Sequence, residues 1–476
     1  MFPLFAYRRK LVVPVAISFA TVLLSSCATF SSDGGFEFLE KNARTQLDKQ
    51  VVWHKSDADQ SRIQQYTDAL LLQELSVETA VQVALLNNPG LQASFDELGI
   101  AEADLVQAGR LGNPGFSFSR LHRGDEIEID RGIHFNLVRL LTMQQTRKIE
   151  QRRFDATRMA ILQAIYSLSS ETRKAYFNLL ATTETLSYTG QVKDAAQAGA
   201  ELAQRMQKAG NFSQLKQARE QSFYADAELN RQRAALAHSR ARENFYRLLG
   251  LDMTRISLKL PERLPELPAV LETPAEMQQA LSQRLDVQMA RSNTDALAHN
   301  LGLNKFTRFI NVLEIGAVKN STSQQSNQTG YEISIELPLF DWGTARVAKA
   351  EAQYMQAIHR TADVALAARA ELRQSYQQYQ ASYAIAKHYR DEVLPLKKRI
   401  SDENLLRYNG MLISVFELLS DARSQISSVN ASIEASRDFW FAEADWQMSK
   451  LGKSSGNSMT TGQNIGSESG DKPVSH

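Results

Sequence analysis

The sequence predicts a mainly α-helical chain that also carries a membrane β-barrel, with four strands and two long helical hairpins per copy. Three observations predict it. Two stretches of about 67 residues, Thr142 to Lys208 and Trp342 to Tyr408, are almost free of helix breakers. Short runs of strict apolar/polar alternation lie just before each of them. The same plan occurs twice at a nearly constant offset, which points to an internal duplication rather than a short solenoid repeat.

The composition of the 476-residue chain is consistent with this class. Its 54 basic and 53 acidic residues leave a net charge of +1, so the clustered basic excess of a nucleic-acid binder is missing. Only 11 prolines occur, while Ala and Gln are plentiful, which favours long helices.

The N-terminus reads as a targeting segment, residues 1–26. Arg8, Arg9 and Lys10 precede an apolar run from Leu11 to Leu24, which is short for a permanent bilayer span. Leu24-Ser25-Ser26-Cys27 has the form of a bacterial lipobox, and Cys27 is the only cysteine. Cys27 is therefore the expected lipidation site, and Ala28 after it, in place of Asp, points to the outer membrane. Residues 27–70 form a lipidated N-terminal segment. No later run of about 18 apolar residues occurs, so any spanning structure has to be a β-barrel.

The two repeats are assigned to 71–251 and 271–452, followed by a Ser-, Gly- and Asn-rich tail, 453–476, expected to be disordered. Leu85 pairs with Leu281 and Leu91 with Val287 at an offset of 196; Gly210 pairs with Gly410 at 200; Leu249-Gly250 pairs with Leu451-Gly452 at 202. Each repeat is expected to run helix, two strands, long helix, helix. In the first, a helix near 77–109 precedes strands at 116–119 and 127–137. In the latter run Ile127, Ile129, Ile133, Phe135 and Leu137 share a face, and only Arg131 breaks the row. The second has strands at 309–318 and 331–339, with Tyr331, Ile333, Ile335, Leu337 and Leu339 on one side. The polar stretch Asn320 to Gly330 is the expected tip between them. Such a sheet either packs on helices in a soluble protein or turns its apolar side to lipid and its polar side to a lumen.

The helix lengths favour the second. Each long stretch spans roughly 100 Å. Phe154, Ile161, Ile165, Leu168, Ala175, Leu179 and Leu186 form a coiled-coil-like seam on the first, and Pro395 predicts a bend in the second. The shorter helices near 77–109 and 214–249, and near 274–308 and 415–451, match one long helix when stacked end to end. A tube wall of one height needs that equality. Four strands cannot close a membrane barrel, whereas three copies supply twelve, so a homotrimer is expected.

Two motifs sharpen this reading. At the strand–helix corner, Pro338, Leu339, Phe340, Asp341 and Gly343 stand where an apolar strand ends in a Pro-Leu-Phe-Asp-x-Gly turn. Pro338 ends the ladder, Asp341 is the expected cap and Gly343 eases the turn. At the hairpin turns, Gly210, Asn211, Phe212 and Ser213 are matched by Gly410, Met411, Leu412, Ile413 and Ser414, with one extra residue in the second copy. Gly permits the reversal and Ser caps the next helix. Over roughly residues 70–451 the chain resembles the TolC-like outer-membrane factors. The resemblance implies a trimeric twelve-stranded barrel continued by a twelve-helix periplasmic α-barrel, with the hairpin turns at its distal tip. It implies docking there onto a periplasmic adaptor protein and, through it, an inner-membrane transporter. It also implies closure of the duct at the tip, where Glu417 matches an acidic position and Arg407 is a candidate partner across the turn.

The expected function is an outer-membrane duct for efflux of small toxic solutes, drugs or metal ions, and not an enzyme. The alternatives are an outer-membrane component of protein secretion and a coiled-coil periplasmic lipoprotein that never spans the membrane. A periplasmic adaptor would instead show one hairpin flanked by compact β domains. No nucleophile elbow, P-loop or dinucleotide fingerprint occurs, and no cofactor is expected. The eight histidines, His54, His122, His134, His238, His299, His359, His388 and His476, show no metal-ligand spacing with a carboxylate. Met206 and Met411 near the tips read as core or contact filler, with copper handling the less favoured alternative. Tyr376, Tyr379, Tyr383 and Tyr389 read as packing between neighbouring helices.

Overall fold

The computed structural model describes residues 29–254, 256–271, 277–307, 313–323, 326–336, 340–413 and 415–453. Cys27, Pro338, Leu339, Ser414 and nearly all of the C-terminal tail lie outside them. Two N-terminal helices, α1 (Phe36–Leu47) and α2 (Asp57–Leu71), lead into α3 (Val77–Asn87) and α4 (Pro89–Ala108). The hairpin β1 (Gly115–Arg123) and β2 (Glu126–Asn136) follows, then α5 (Leu137–Lys208) and α6 (Gln214–Leu249). The order then recurs as α7 (Met277–Gln283), α8 (Leu285–Thr307), β3 (Leu313–Thr322), β4 (Gln328–Ile335), α9 (Thr344–His388), α10 (Leu394–Asn409) and α11 (Val415–Leu451).

The strands form one antiparallel sheet in the order β1-β2-β3-β4. β2 stops one residue earlier than its alternation predicts. Asn136 accepts a hydrogen bond from the Arg139 amide at 2.9 Å and caps α5, so Leu137 begins the helix. Similarly, β3 runs on to Thr322 and β4 begins at Gln328, so most of the polar stretch expected as a tip is paired strand. Polar residues that line one side of a sheet look, in sequence, like a loop.

α5 is an unbroken helix of 72 residues, roughly 108 Å long. Its expected seam is buried at Phe154, Ile161, Ile165, Ala175 and Leu179, while Leu168 and Leu186 are half-buried. α9 and α10 together make a second column, interrupted by a π-helical turn at Tyr389–Val393. Pro395 explains the turn: it has no N–H for the carbonyl four residues back, and its ring collides with that carbonyl. On α6, Glu220, Ala227, Ala234, Ala241 and Leu248 are buried at seven-residue intervals, the period of a left-handed supercoil with closely spaced backbones. The four tyrosines do pack between helices: Tyr379 stacks on Phe439 with centroids 5.7 Å apart, and Tyr376 lies 4.9 Å from Trp446.

The short helices differ from the expected pair of simple columns. Pro89 cannot continue α3, so the chain breaks at Asn88 and starts again as α4. α4 packs on the strand-proximal part of α5 through Leu91, Phe95 and Leu98 against Phe154, Ile161 and Ile165. α3 packs beside the end of α6, with Val83 and Ala84 in the cluster of Leu179, Phe245 and Leu249. The end of α6 meets the break itself. Asn88 donates to the Leu248 carbonyl at 2.9 Å, and Asn87 to the Gly250 carbonyl at 2.8 Å. Thus α4 alone follows α6, and α3 covers the joint.

Candidate functional site

The register sorts the sheet into two chemically distinct faces. Leu313 pairs with Ile335, Ile315 with Phe135 and Ile333, and Ile133 with Phe116 and Ala317, which in turn pairs with Tyr331. These rows form one apolar face, and Phe116, Ile133, Phe135, Tyr331, Ile333 and Ile335 are all exposed. The opposite face holds Glu126, Glu128, Asp130, Glu314 and Glu332, together with Ser117, His134 and Asn320. There His134 Nε2 lies 2.8 Å from the Ser117 hydroxyl, and the Asn320 amide donates to Glu128 at 2.6 Å. Among the described residues no helix covers the apolar rows, which leaves a large apolar surface exposed. β1 and β4 each keep one unpaired edge.

Below the sheet, the strand–helix corner is ringed by exposed apolar groups: Leu140, Leu141, Phe306, Trp342 and Phe340, which is 99% exposed. Asp341 does not cap α9. Its carboxylate accepts from the Gly343 amide at 2.8 Å, two residues on, and Gly343, with φ of 68°, is the N-cap residue without any side-chain cap. The Asp turns the chain, and the helix starts just after it.

At the first tip, Gly210 takes a left-handed φ of 79°, and the Asn211 amide donates to the Met206 carbonyl at 2.9 Å. The Ser213 hydroxyl then accepts from the Lys216 amide at 3.3 Å and caps α6. The second tip is built one residue out of step. Gly410 has φ of −81°, and Met411 takes the left-handed place at 59° while the Leu412 amide donates to the Arg407 carbonyl at 2.8 Å. Met411 is therefore the counterpart of Gly210, and the extra residue before Ser414 disappears from the comparison. Met411 and Leu412 are 93% and 78% exposed.

Arg407 lies 3.1 Å from Glu403 of its own helix; the side chain of Glu417 is outside the described set. One tie between the two hairpins, near their turns, is a pair that no sequence motif marks. Arg423 of α11 reaches Glu220 of α6 at 3.2 Å, and its guanidinium lies 4.2 Å over the Phe223 ring. Glu220 is 3% exposed at its side chain and occupies the seam position filled by Ala at 227, 234 and 241. A carboxylate in an alanine heptad was the signal that could have found it. Among the described residues, no cluster of His, Cys, Asp and Glu could hold a metal ion, and no helix is long and apolar enough to cross a membrane.

Solved structures of the same shape exist. The outer-membrane channel OprN superposes with a TM-score of 0.68 at 16% identity, over 79% of this chain and 90% of OprN. The chain has the fold of the TolC-like outer-membrane channels. The CmeC channel of Campylobacter jejuni gives 0.65 at 18% identity, over 79% and 85% of the two chains. The open state of the Neisseria gonorrhoeae MtrE channel gives 0.60 at 19%, over 79% and 89%. No family model and no curated protein matches the sequence. The likeness is one of fold, and the function rests on the residues.

Proposed function

We propose that this chain is one protomer of a homotrimeric outer-membrane duct, the exit component of a tripartite export system. The observation that carries the reading is the sheet: an uncovered apolar face, an acidic opposite face and two open edges. In hydrocarbon every backbone polar group needs a partner, so the edges of β1 and β4 have to pair with neighbouring copies. Three copies give a closed barrel of twelve strands with the acids toward the lumen. The columns built on α5, α6, α9–α10 and α11 then supply a twelve-helix tunnel.

The rest of the chain fits this arrangement. The Arg110 guanidinium lies 5.9 Å over the Phe30 ring, just before β1, so the described chain starts at the level where strands give way to helices. Cys27, three residues earlier in the sequence, is the lipidation site we assign. Exposed Met411 and Leu412, with Gly210, Asn211, Phe212, Ser213, Gly410, Ile413 and Ser414, make the docking tip for a periplasmic adaptor. Glu220 and Arg423 hold the tip closed, and Glu417 and Arg407 are the gate candidates that the resemblance supplies. Small toxic solutes, drugs or metal ions, are the cargo we assign.

Native mass spectrometry of the mature protein, combined with planar-bilayer recording, tests the reading. A mass of three chains and a discrete conductance with preference for cations are expected. A monomer that leaves the bilayer silent contradicts the duct and favours the non-spanning lipoprotein.

A further inference from the structure

The apolar face of the sheet carries one interruption that barrel formation does not explain. Arg131 on β2 and Lys319 on β3 are directly paired in the register, on the outward side. Arg120 on β1 shares that side, opposite Ile129, and so lies diagonal to Arg131. Two like charges directly opposite each other are unfavourable, with Cβ atoms about 5 Å apart. No acid on this face relieves them. Every acid of the four strands points to the other side, and none of the three cations forms an ion pair among the described residues. All three are exposed. Phe118 and Thr329 flank the pair in the same row, and the apolar rows lie immediately on the helix side.

The height of this cluster is informative. From Leu141, in the exposed apolar ring at the strand–helix corner, to Arg131 is one turn of helix and five strand residues, roughly 22 Å along the chain. Even shortened by strand tilt, that path covers most of the apolar band of an outer-membrane barrel, about 25 Å tall. The cations therefore stand at its far rim, against the headgroups of the outer leaflet, while the acyl chains run down the rows of Phe116, Ile133 and Tyr331.

We propose that Arg131, Lys319 and Arg120 form a binding site for a phosphorylated glycolipid of the outer leaflet, one molecule per protomer. The phosphates sit between the opposed cations, and the fatty acyl chains cover the aromatic and aliphatic rows below. An anion turns the like-charge pair from a liability into a bidentate clamp. The proposal rests on the outer-membrane barrel reading for its orientation.

The test is native mass spectrometry of the full mature trimer titrated with diphosphorylated lipid A, dephosphorylated lipid A and phosphatidylglycerol. Up to three retained molecules of the diphosphorylated form are expected, and few of the others. Arg131→Gln combined with Lys319→Gln should weaken retention at least about tenfold, with the trimer mass unchanged. Arg131→Lys should keep most of it. Equal retention by the double variant, or equal retention of either comparison lipid, would overturn the assignment. Failure of the wild-type chain to form trimers would instead strike the duct reading, so the two failures are distinguishable.

Discussion

The two helix breaks perform one task with different chemistry. Asn88 interrupts the short helices of the first repeat and donates to the Leu248 carbonyl near the end of α6. Arg284 interrupts those of the second, 196 residues later, and donates to the Ser449 carbonyl near the end of α11 at 2.7 Å. In the first repeat a neutral amide suffices. In the second, a fully buried guanidinium makes the contact, held by Asp286 at 2.8 Å and Glu371 at 2.6 Å. Burial alone would lower the Arg284 pKa, but the two carboxylates more than offset it and hold it raised. The second joint therefore ties three helices, α8, α9 and α11, where the first ties α6 to the α3–α4 corner. The same kind of contact recurs at the second joint with a different residue.

Substitution at these joints separates the two solutions. Arg284→Asn, which copies the first repeat, should cost about 3–5 kcal/mol, because two carboxylates lose their buried partner. A fall in the thermal midpoint of the detergent-solubilised protein reads this out. Next comes the tie at the tips. Glu220→Gln or Arg423→Gln should raise closed-state leak in bilayers about tenfold, since a charged hydrogen-bonded pair no longer opposes opening; unchanged leak assigns closure to other residues. Asn88→Ala should cost about 1–2 kcal/mol through a lost cap and a lost contact to α6, clearly less than its counterpart. The smallest effects belong to the turns, and they have opposite signs. Gly210→Ala should destabilise by about 1 kcal/mol and Met411→Gly stabilise by a similar amount, because each trades the left-handed penalty. Adaptor binding by Met411→Gly should nonetheless weaken, and calorimetry against the cognate adaptor would measure it.

The parts of the fold legible in the sequence were those governed by a single period. The seam of α5, the alternation of β2 and β4 and the start of α6 at Gln214 after Ser213 follow from local pattern. Readings failed where a local rule competed with another contact. Gly410 looked like the reversal point, but the chain places Met411 there because the turn is counted from the helix end. Asp341 looked like a cap, yet it makes a turn with Gly343, two residues on, and the helix begins at Thr344. The polar residues from Asn320 onward read as a loop because one side of the paired strands is polar too. Of the candidate site, Glu220 was marked by its place in an alanine heptad, but its pairing was hidden for a different reason. Its partner Arg423 is 203 residues away, and no single-sequence pattern joins the two.

The most direct test of the central claim is electron microscopy of the mature protein purified in mild detergent, with two-dimensional averaging. The account predicts threefold tubes roughly 100 Å long, capped at one end by a barrel about 30 Å tall and tapering at the other. Compact monomers without a barrel would contradict it.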